Sequence, residues 1–509
     1  MLAPALMVQG TASSVGKSLL VTALCRLFRR DGVDVVPFKS QNMALNSAVT
    51  PDGFEIGRAQ AVQAEAAGVA PCVEMNPILL KPEGHQSAQV VIRGRPAFRM
   101  SAREYHDYKP QLAAVVADCL GELRRRHQLV IIEGAGSPAE VNLRDRDIVN
   151  MHVARLADAP VILVGDIDRG GVFAALLGTL DLLEPEDRQR VAALLVNNFR
   201  GDLSLFEPGV EFLRQKSGKP VLGVVPHVSS LRIADEDSLA LERRAGRPRA
   251  SAGQLDIAVV KLPRISNYDD VLALEHAAGV SVRFVQTPEE LRGADLVILP
   301  GTKSTVADLG WLRATGLAAE LGRRGAGGGF ILGICGGCQM LGEWILDPDG
   351  VESSQQSVPG IGLLGLCTRF EPGKLTAQVE TRVHTPGFFG ADHAGPIHAY
   401  EIHMGQLSLR STARGAFRLS SRNGQRVDVI DGAISATGNV VGTLLHGLLE
   451  NEGLRASLLA ALRRERGGEA TPSPAVPTRE AEYDRLEAAV RQSLDLQLLR
   501  RLAQQPDPG

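Results

Sequence analysis

The sequence predicts an α/β protein built from two doubly wound parallel-sheet domains in succession, with a helical segment at the C-terminal end. Three observations carry that prediction. Short runs of continuous apolar residues, such as Leu129-Val130-Ile131-Ile132 and Val161-Ile162-Leu163-Val164, alternate with longer helical patterns, as strands covered on both faces by crossover helices do. The 509 residues are too many for one hydrophobic core. Between 241 and 254 the composition turns to Arg, Ala, Gly, Pro and Ser, which reads as a linker. The expected division is therefore a first domain at 1–240, a linker at 241–254, a second domain at 255–455, and a Pro-containing linker with a helix at 456–509.

Composition narrows the function classes. A net charge of −3, with both signs spread along the chain, offers neither nucleic acid nor an anionic membrane a basic surface, and 4% aromatic residues are few for base stacking. No apolar run reaches spanning length, and Met1-Leu2-Ala3-Pro4 leads straight into an apolar strand without a signal-peptide pattern. The six cysteines are mostly far apart, as cytosolic thiols are; Cys335 and Cys338 form a single C-x-x-C, for which no second pair or His-rich tract supplies the rest of a metal site. These features together predict a cytoplasmic protein with no structural metal and small-molecule partners.

The first domain opens with the strand Leu6-Met7-Val8-Gln9, then Gly10-Thr11-Ala12-Ser13-Ser14-Val15-Gly16-Lys17-Ser18, then a helical pattern to about Arg30. This is a phosphate loop, one residue longer between its glycines than the usual form. Main-chain N–H groups curl around phosphates, Lys17 reaches their outer oxygens, and the Ser18 hydroxyl is a ligand for Mg²⁺. The strand Val35 to Lys39 ends in Ser40-Gln41-Asn42, so Lys39, Gln41 and Asn42 face the crevice where ligands of open α/β sheets bind. Lys81, His85, Arg93 and Arg95 follow close together and suit a polycarboxylate substrate, though surface charge explains them equally well. Leu129 to Ile132 closes on Glu133, an acid at a strand tip with the logic of a second metal ligand. Asn197 and Asn198 end a later strand, and Asp166, Asp168 and Arg169 end another.

In the second domain, Asp295 to Pro300 brings a strand to the turn at Gly301. Phe330-Ile331-Leu332 leads into Gly333-Ile334-Cys335-Gly336-Gly337-Cys338, a nucleophile elbow. Cys335 is the candidate nucleophile, because a side chain on so sharp a turn is pushed out of the sheet and a helix N-terminus favours a thiolate. Gly442-Thr443-Leu444-Leu445-His446-Gly447 supplies the candidate base His446 after a further apolar run, with His403 as a rival. Near the end, Thr471-Pro472-Ser473-Pro474 precedes a helix from about Thr478 to Leu502, in which Tyr483, Leu486, Val490 and Leu494 share one face.

On these residues the chain resembles known families. The long phosphate loop resembles that of dethiobiotin synthetase and its ATP-dependent amidoligase relatives, which implies ATP and Mg²⁺ as cofactors, a metal partner at Glu55, Glu65 or an amide of the segment Phe54 to Gly68 such as Gln60 or Gln63, and base recognition at Asn197. The elbow and His446 resemble the class I, or triad, glutamine amidotransferases. That resemblance implies a thioester between Cys335 and glutamine, release of ammonia, and oxyanion N–H groups at Gly301 and Gly336. The class I pattern is His-x-Glu, whereas Leu448 stands two residues after His446; Glu450 and Glu401 are the candidate replacements. The variant without that Glu, together with Lys39-Ser40-Gln41-Asn42, resembles the cobyric acid synthases. A glutamine- and ATP-dependent corrinoid amidotransferase is the function this implies. The alternatives are a cobyrinic acid a,c-diamide synthase, or a phosphate-loop switch ATPase with a degenerate amidotransferase domain; a switch ATPase of the partitioning type has an early signature Lys, and residues 11–15 contain none.

Overall fold

Leu6, Met7 and Val8 have no exposed surface, and neither have Val130, Ile131 and Ile132, so the apolar runs form the centre of a sheet. The computed structural model describes residues 2–83, 87–234, 249–251, 253–390, 395–467 and 478–504. His85, most of the expected linker at 241–254, and the Thr471 to Pro474 run lie outside the described residues. Two units emerge: one holds residues 2–43, 56–234 and 478–504, and the other holds 44–55 and the described residues from 249 to 467.

The first unit contains a six-stranded sheet ordered Val221–Pro226, Val191–Phe199, Val161–Asp166, Ala5–Gly10, Leu129–Glu133 and Val35–Phe38, parallel throughout. The chain order reverses beside Ala5–Gly10, so the carboxyl ends of its neighbours Leu129–Glu133 and Val161–Asp166 open a crevice there. A smaller four-stranded sheet, Gln41–Met43, Ile78–Pro82, Ser87–Ile92 and Arg95–Ser101, lies in the same unit. It leads into the helix Ala102–Arg126, whose start is fixed by a capping box between Ser101 and Glu104.

The helix expected from Thr478 to Leu502 is two helices, Arg479–Ser493 and Leu496–Leu502, broken where Leu494 turns extended, and the first packs within this unit. Tyr483, Leu486 and Val490 are buried on the expected face. Its polar side pairs with the helix Lys17–Arg30: Arg26 meets Asp484 at 2.8 Å, Arg30 meets Glu487 at 2.8 Å, and Arg491 meets Asp31 at 2.8 Å. The chain end therefore braces the helix that follows the phosphate loop.

The second unit has a six-stranded sheet ordered Val280–Val285, Leu255–Val260, Leu296–Leu299, Phe330–Ile334, Val440–Thr443 and Ala433–Ile434, parallel except at its last pair. A seven-stranded sheet, largely antiparallel, joins it; the long strands Leu366–Val383 and Ile397–Leu409 form its centre. Sequence reasoning did not anticipate this sheet, because its strands are half exposed and carry many charges, without the continuous apolar runs that announce a parallel strand. No helix among the described residues is long and apolar enough to cross a membrane.

Candidate active sites

Cys335 sits where the strand Phe330–Ile334 turns into the helix Gly336–Leu341, with φ 50° and ψ −111°. A non-glycine residue held there stores about 1–3 kcal/mol of strain. Its N–H donates to Thr443 O at 2.7 Å, which pins the elbow to the strand that delivers His446. The turn closes tightly because Gly337 has no side chain: a Cβ there would lie 1.9 Å from Leu299 O. Gly336 lies against the Gly301 turn, since a Cβ on it would meet Thr302 Cγ2 at 2.6 Å and Thr302 N at 3.2 Å. A Cβ on Gly301 would in turn stand 3.1 Å from His446 Cε1. The structure thus brings together Cys335, Gly336, Gly301 and His446.

The acid that orients His446 is Asp270. His446 Nδ1 lies 2.7 Å from Asp270 Oδ2, and the Gly447 N–H donates to Asp270 Oδ1 at 2.7 Å. All of these groups are buried. Burial works to lower the imidazole pKa, but the charge and hydrogen bond of Asp270, and then those of Cys335, outweigh it and push it up to about 10. The raised pKa favours the protonated form of the ring. Its Nε2 is buried and makes no hydrogen bond of ordinary geometry, and the Tyr400 ring stacks on the other side at 5.2 Å and 17°.

Of the two acids that the sequence offered, Glu401 is engaged elsewhere and Glu450 faces outward. Glu401 accepts from Arg422 through both oxygens, at 2.6 and 2.7 Å, and also faces His403 at 3.7 Å. Burial opposes its ionisation, but His403 and Arg422 hold its pKa below the usual range. Glu450 is exposed beyond the turn that follows His446. The rival His403 is spoken for by Gly405 O at 3.1 Å and by Glu401. Cys338 is buried, and desolvation, with the charges of Asp431 and Cys335, drives its thiol pKa well above the ordinary value, which suits a packing residue. Asp270 escaped the sequence reading because it lies 176 positions from His446, in Asn267-Tyr268-Asp269-Asp270, with no motif around it. Beside the centre, Asp431 accepts from Thr443 Oγ1 at 2.5 Å and lines a cavity of about 590 Å³ with Lys374, Glu401, His403, Arg422 and Leu444.

In the other unit, Gly10 to Lys17 curl between strand and helix. Gly16 takes φ 92°, and a Cβ there would lie 2.2 Å from Asn197 Nδ2. Lys17 Nζ donates to Ala12 O and Gly136 O at 2.9 and 3.1 Å, so the ammonium spans the loop where phosphates would lie. Glu133 collects three donors: Ser18 Oγ and Lys39 Nζ, each 2.8 Å from Oε1, and Gln63 Nε2, 2.6 Å from Oε2. Thr11 N donates to Val164 O at 2.9 Å, placing Thr11 at the base of the loop.

Models of two families match the chain: a CobQ/CobB/MinD/ParA nucleotide binding domain over residues 6–241, and a CobB/CobQ-like glutamine amidotransferase domain over 256–454. A cobyric acid synthase of Sorangium cellulosum is 59% identical over 514 aligned residues, covering 99% of this chain and 99% of that protein. Cobyric acid synthases of Dehalococcoides mccartyi and Moorella thermoacetica are each 49% identical, covering 97% of this chain and 97% and 96% of their own. The chain belongs to the cobyric acid synthase family. It is a glutamine-dependent amidoligase with a nucleotide-binding domain.

The remaining expected residues of the nucleotide-binding unit are dispersed. Asn197 Nδ2 donates to Val15 O at 2.8 Å, so its amide braces the phosphate loop from below. Lys39 is committed to Glu133, Gln41 accepts from Tyr105 OH at 2.5 Å, and Asn42 donates to Gln60 at 3.0 Å. Lys81 is buried opposite Gln89, whereas Arg93 lies in the turn at the far end of the same pair of strands, 3.7 Å from Asp118. Lys81 and Arg93 are therefore not brought together. In the segment expected to supply a metal partner, the amide Gln63 reaches Glu133, whereas Glu65 accepts from Tyr483 at 2.8 Å; Glu55 belongs to the second unit, where it pairs with Lys374.

Proposed function

We propose that the chain amidates the b, d, e and g side-chain carboxylates of adenosylcobyrinic acid a,c-diamide in succession, giving cobyric acid in cobalamin biosynthesis. The observation that carries the reading is the pairing, on one chain, of a Cys335–His446–Asp270 centre with a phosphate loop whose Ser18 meets Glu133. The Cys335 thiolate attacks the glutamine carboxamide carbon, and the oxyanion is held by main-chain N–H groups at Gly301 and Gly336. Protonated His446 gives its proton to the departing ammonia, and water then hydrolyses the thioester to glutamate. In the nucleotide-binding unit the corrinoid carboxylate takes the ATP γ-phosphoryl group as an acyl phosphate, and ammonia displaces phosphate.

Ser18 and Glu133 present a hydroxyl and a carboxylate oxygen 2.8 Å apart, a donor set of the hard kind that Mg²⁺ prefers. Bound there, Mg²⁺ would neutralise charge on the β- and γ-phosphates. The Lys39 ammonium shares the same Glu133 oxygen and adds a fixed positive charge beside the transferring group. The bond between Asp270 and His446 supports an active amidotransferase domain over a degenerate one.

The test is glutamate release and product mass for wild type and Cys335→Ala, with ATP, Mg²⁺ and the a,c-diamide present. Four stepwise acid-to-amide mass changes, lost in Cys335→Ala and restored by free ammonia, are expected. ATP hydrolysis without amide formation would overturn the reading.

A further inference from the structure

Residues 44–55 follow directly on the strand Gln41–Met43 in sequence, yet they pack within the amidotransferase unit. They fold as a hairpin: Ser47–Val49 runs outward, Thr50 N donates to Phe54 O at 2.8 Å, and Glu55 returns. Asn46, Ser47, Val49, Thr50 and Glu55 are at most 2% exposed. So much buried polar backbone requires partners, and the long strand Leu366–Val383 supplies them. Gln378 Nε2 donates to Val49 O and Thr376 Oγ1 to Gly53 O, each at 2.5 Å. Lys374 and Glu55 form a buried ion pair at 2.5 Å, and the other Glu55 oxygen accepts from Ser47 Oγ.

The inner end of this hairpin borders the glutaminase centre. Val49 packs with Tyr400, the ring stacked on His446, and with Ile402, whose carbonyl oxygen is 3.9 Å from Cys335 Sγ. Ser47 N donates to Asn267 Oδ1 at 2.8 Å. Asn267 takes the left-handed conformation, φ 52°, and opens the short 3-10 turn Tyr268–Val271 that carries Asp270. Asp270 is thus held at one side by His446 and Gly447, and its turn is held at the other by Ser47.

We propose that Asn267 is a positioning residue for glutamine hydrolysis, latched by the Ser47 main chain, through which the hairpin 44–55 keeps Asp270 in register with His446. The hairpin comes from the sequence half that forms the nucleotide-binding unit, yet it packs against the turn that carries Asp270. The proposal rests on the glutaminase role of Cys335 and His446 given above.

The test compares Asn267→Gly and Asn267→Asp in the full-length chain. Glycine keeps the left-handed backbone and deletes the acceptor; aspartate keeps the acceptor and tolerates the same backbone. Three quantities are read: glutaminase kcat and glutamine KM, the pH profile, and amidation driven by free ammonia. In Asn267→Gly, kcat is expected to fall about tenfold or more, the scale of a misplaced catalytic group. The alkaline limb of the profile moves down, while glutamine KM and ammonia-driven turnover hold. Asn267→Asp is expected to recover most of kcat. Wild-type kcat in Asn267→Gly, equal losses in both variants, or a parallel loss of ammonia-driven turnover would overturn the proposal. Retained glutaminase activity in Cys335→Ala would instead sink the functional reading on which it stands.

Discussion

The phosphate loop and the glutaminase centre are built in opposite ways. The loop is one continuous stretch from Gly10 to Ser18, closed by single groups from Glu133 and Asn197. The proposed glutaminase centre draws on Asp270, Gly301, Cys335 and His446, four separate pieces of chain at the ends of parallel strands and the turns beside them. A contiguous motif carries its geometry in its own spacing, because glycines and a helix start fix where each N–H points. A dispersed centre owes its geometry to sheet order and register, which no local pattern records.

The largest effect that sharpens this contrast is expected for Asp270→Asn. An amide in place of the carboxylate leaves the shape intact but removes the charge that sustains the His446 proton, and triads changed in this way lose on the order of 10²–10⁴ in kcat. The measurement is glutaminase kcat against pH. The raised pKa of His446, about 10, means that its interaction with Asp270 adds stability fully below the ordinary imidazole pKa of 6.5, and that this is lost as pH rises through about 10. Thermal melting of Asp270→Asn should therefore differ most from wild type at pH 6 and least at pH 10. A variant with wild-type kcat at all pH values would show that Asp270 is no member of the centre.

What could be read in the sequence follows the same division. The parallel strands, the phosphate loop, Glu133, the elbow at Cys335 and the candidate base His446 all lie in short motifs whose residue types suggest their chemistry. The acid partner was sought beside His446, at Glu450 and Glu401, because sequence neighbours were the only neighbours visible. Arg422 had already claimed Glu401, and a turn from the start of the second domain supplied Asp270. Asn197 was expected at the nucleotide base, yet register places its amide under Val15. The hairpin 44–55 was invisible for a related reason: nothing in its composition says which unit it packs in.

A middle-sized effect tests the loop. In Asn197→Ala the Val15 carbonyl loses its donor, and an unpaired buried group of that kind costs about 1–3 kcal/mol. If the amide braces the loop, the ATP KM should rise about tenfold, since 1.4 kcal/mol corresponds to a factor of ten. Glutaminase activity in the absence of ATP should not change. An unchanged ATP KM would mean that the loop holds its shape from its own sequence, which would deepen the contrast with the dispersed centre.

The smallest effect separates a working acid from an idle one. Glu352, like Asp270, is a carboxylate with no motif around it, though it is half-buried where Asp270 is buried; its Oε1 accepts from Val306 N at 2.8 Å. Among the described residues no arginine pairs with it as Arg422 pairs with Glu401, and desolvation raises its pKa to about 7 against weaker opposing hydrogen bonds and the charge of Lys303. A carboxyl whose folded pKa is raised binds its proton more tightly in the folded state. Its contribution is therefore favourable below the ordinary value of 4.5 and is lost as pH rises through about 7. Glu352→Gln keeps the oxygen that accepts from Val306 and removes the charge, so it should gain about 1–2 kcal/mol of stability at pH 8 and nothing at pH 4. Chemical denaturation at the two pH values measures this, with glutaminase kcat expected to stay at the wild-type level. A loss of kcat in Glu352→Gln would move this acid from the packing of the elbow into its chemistry.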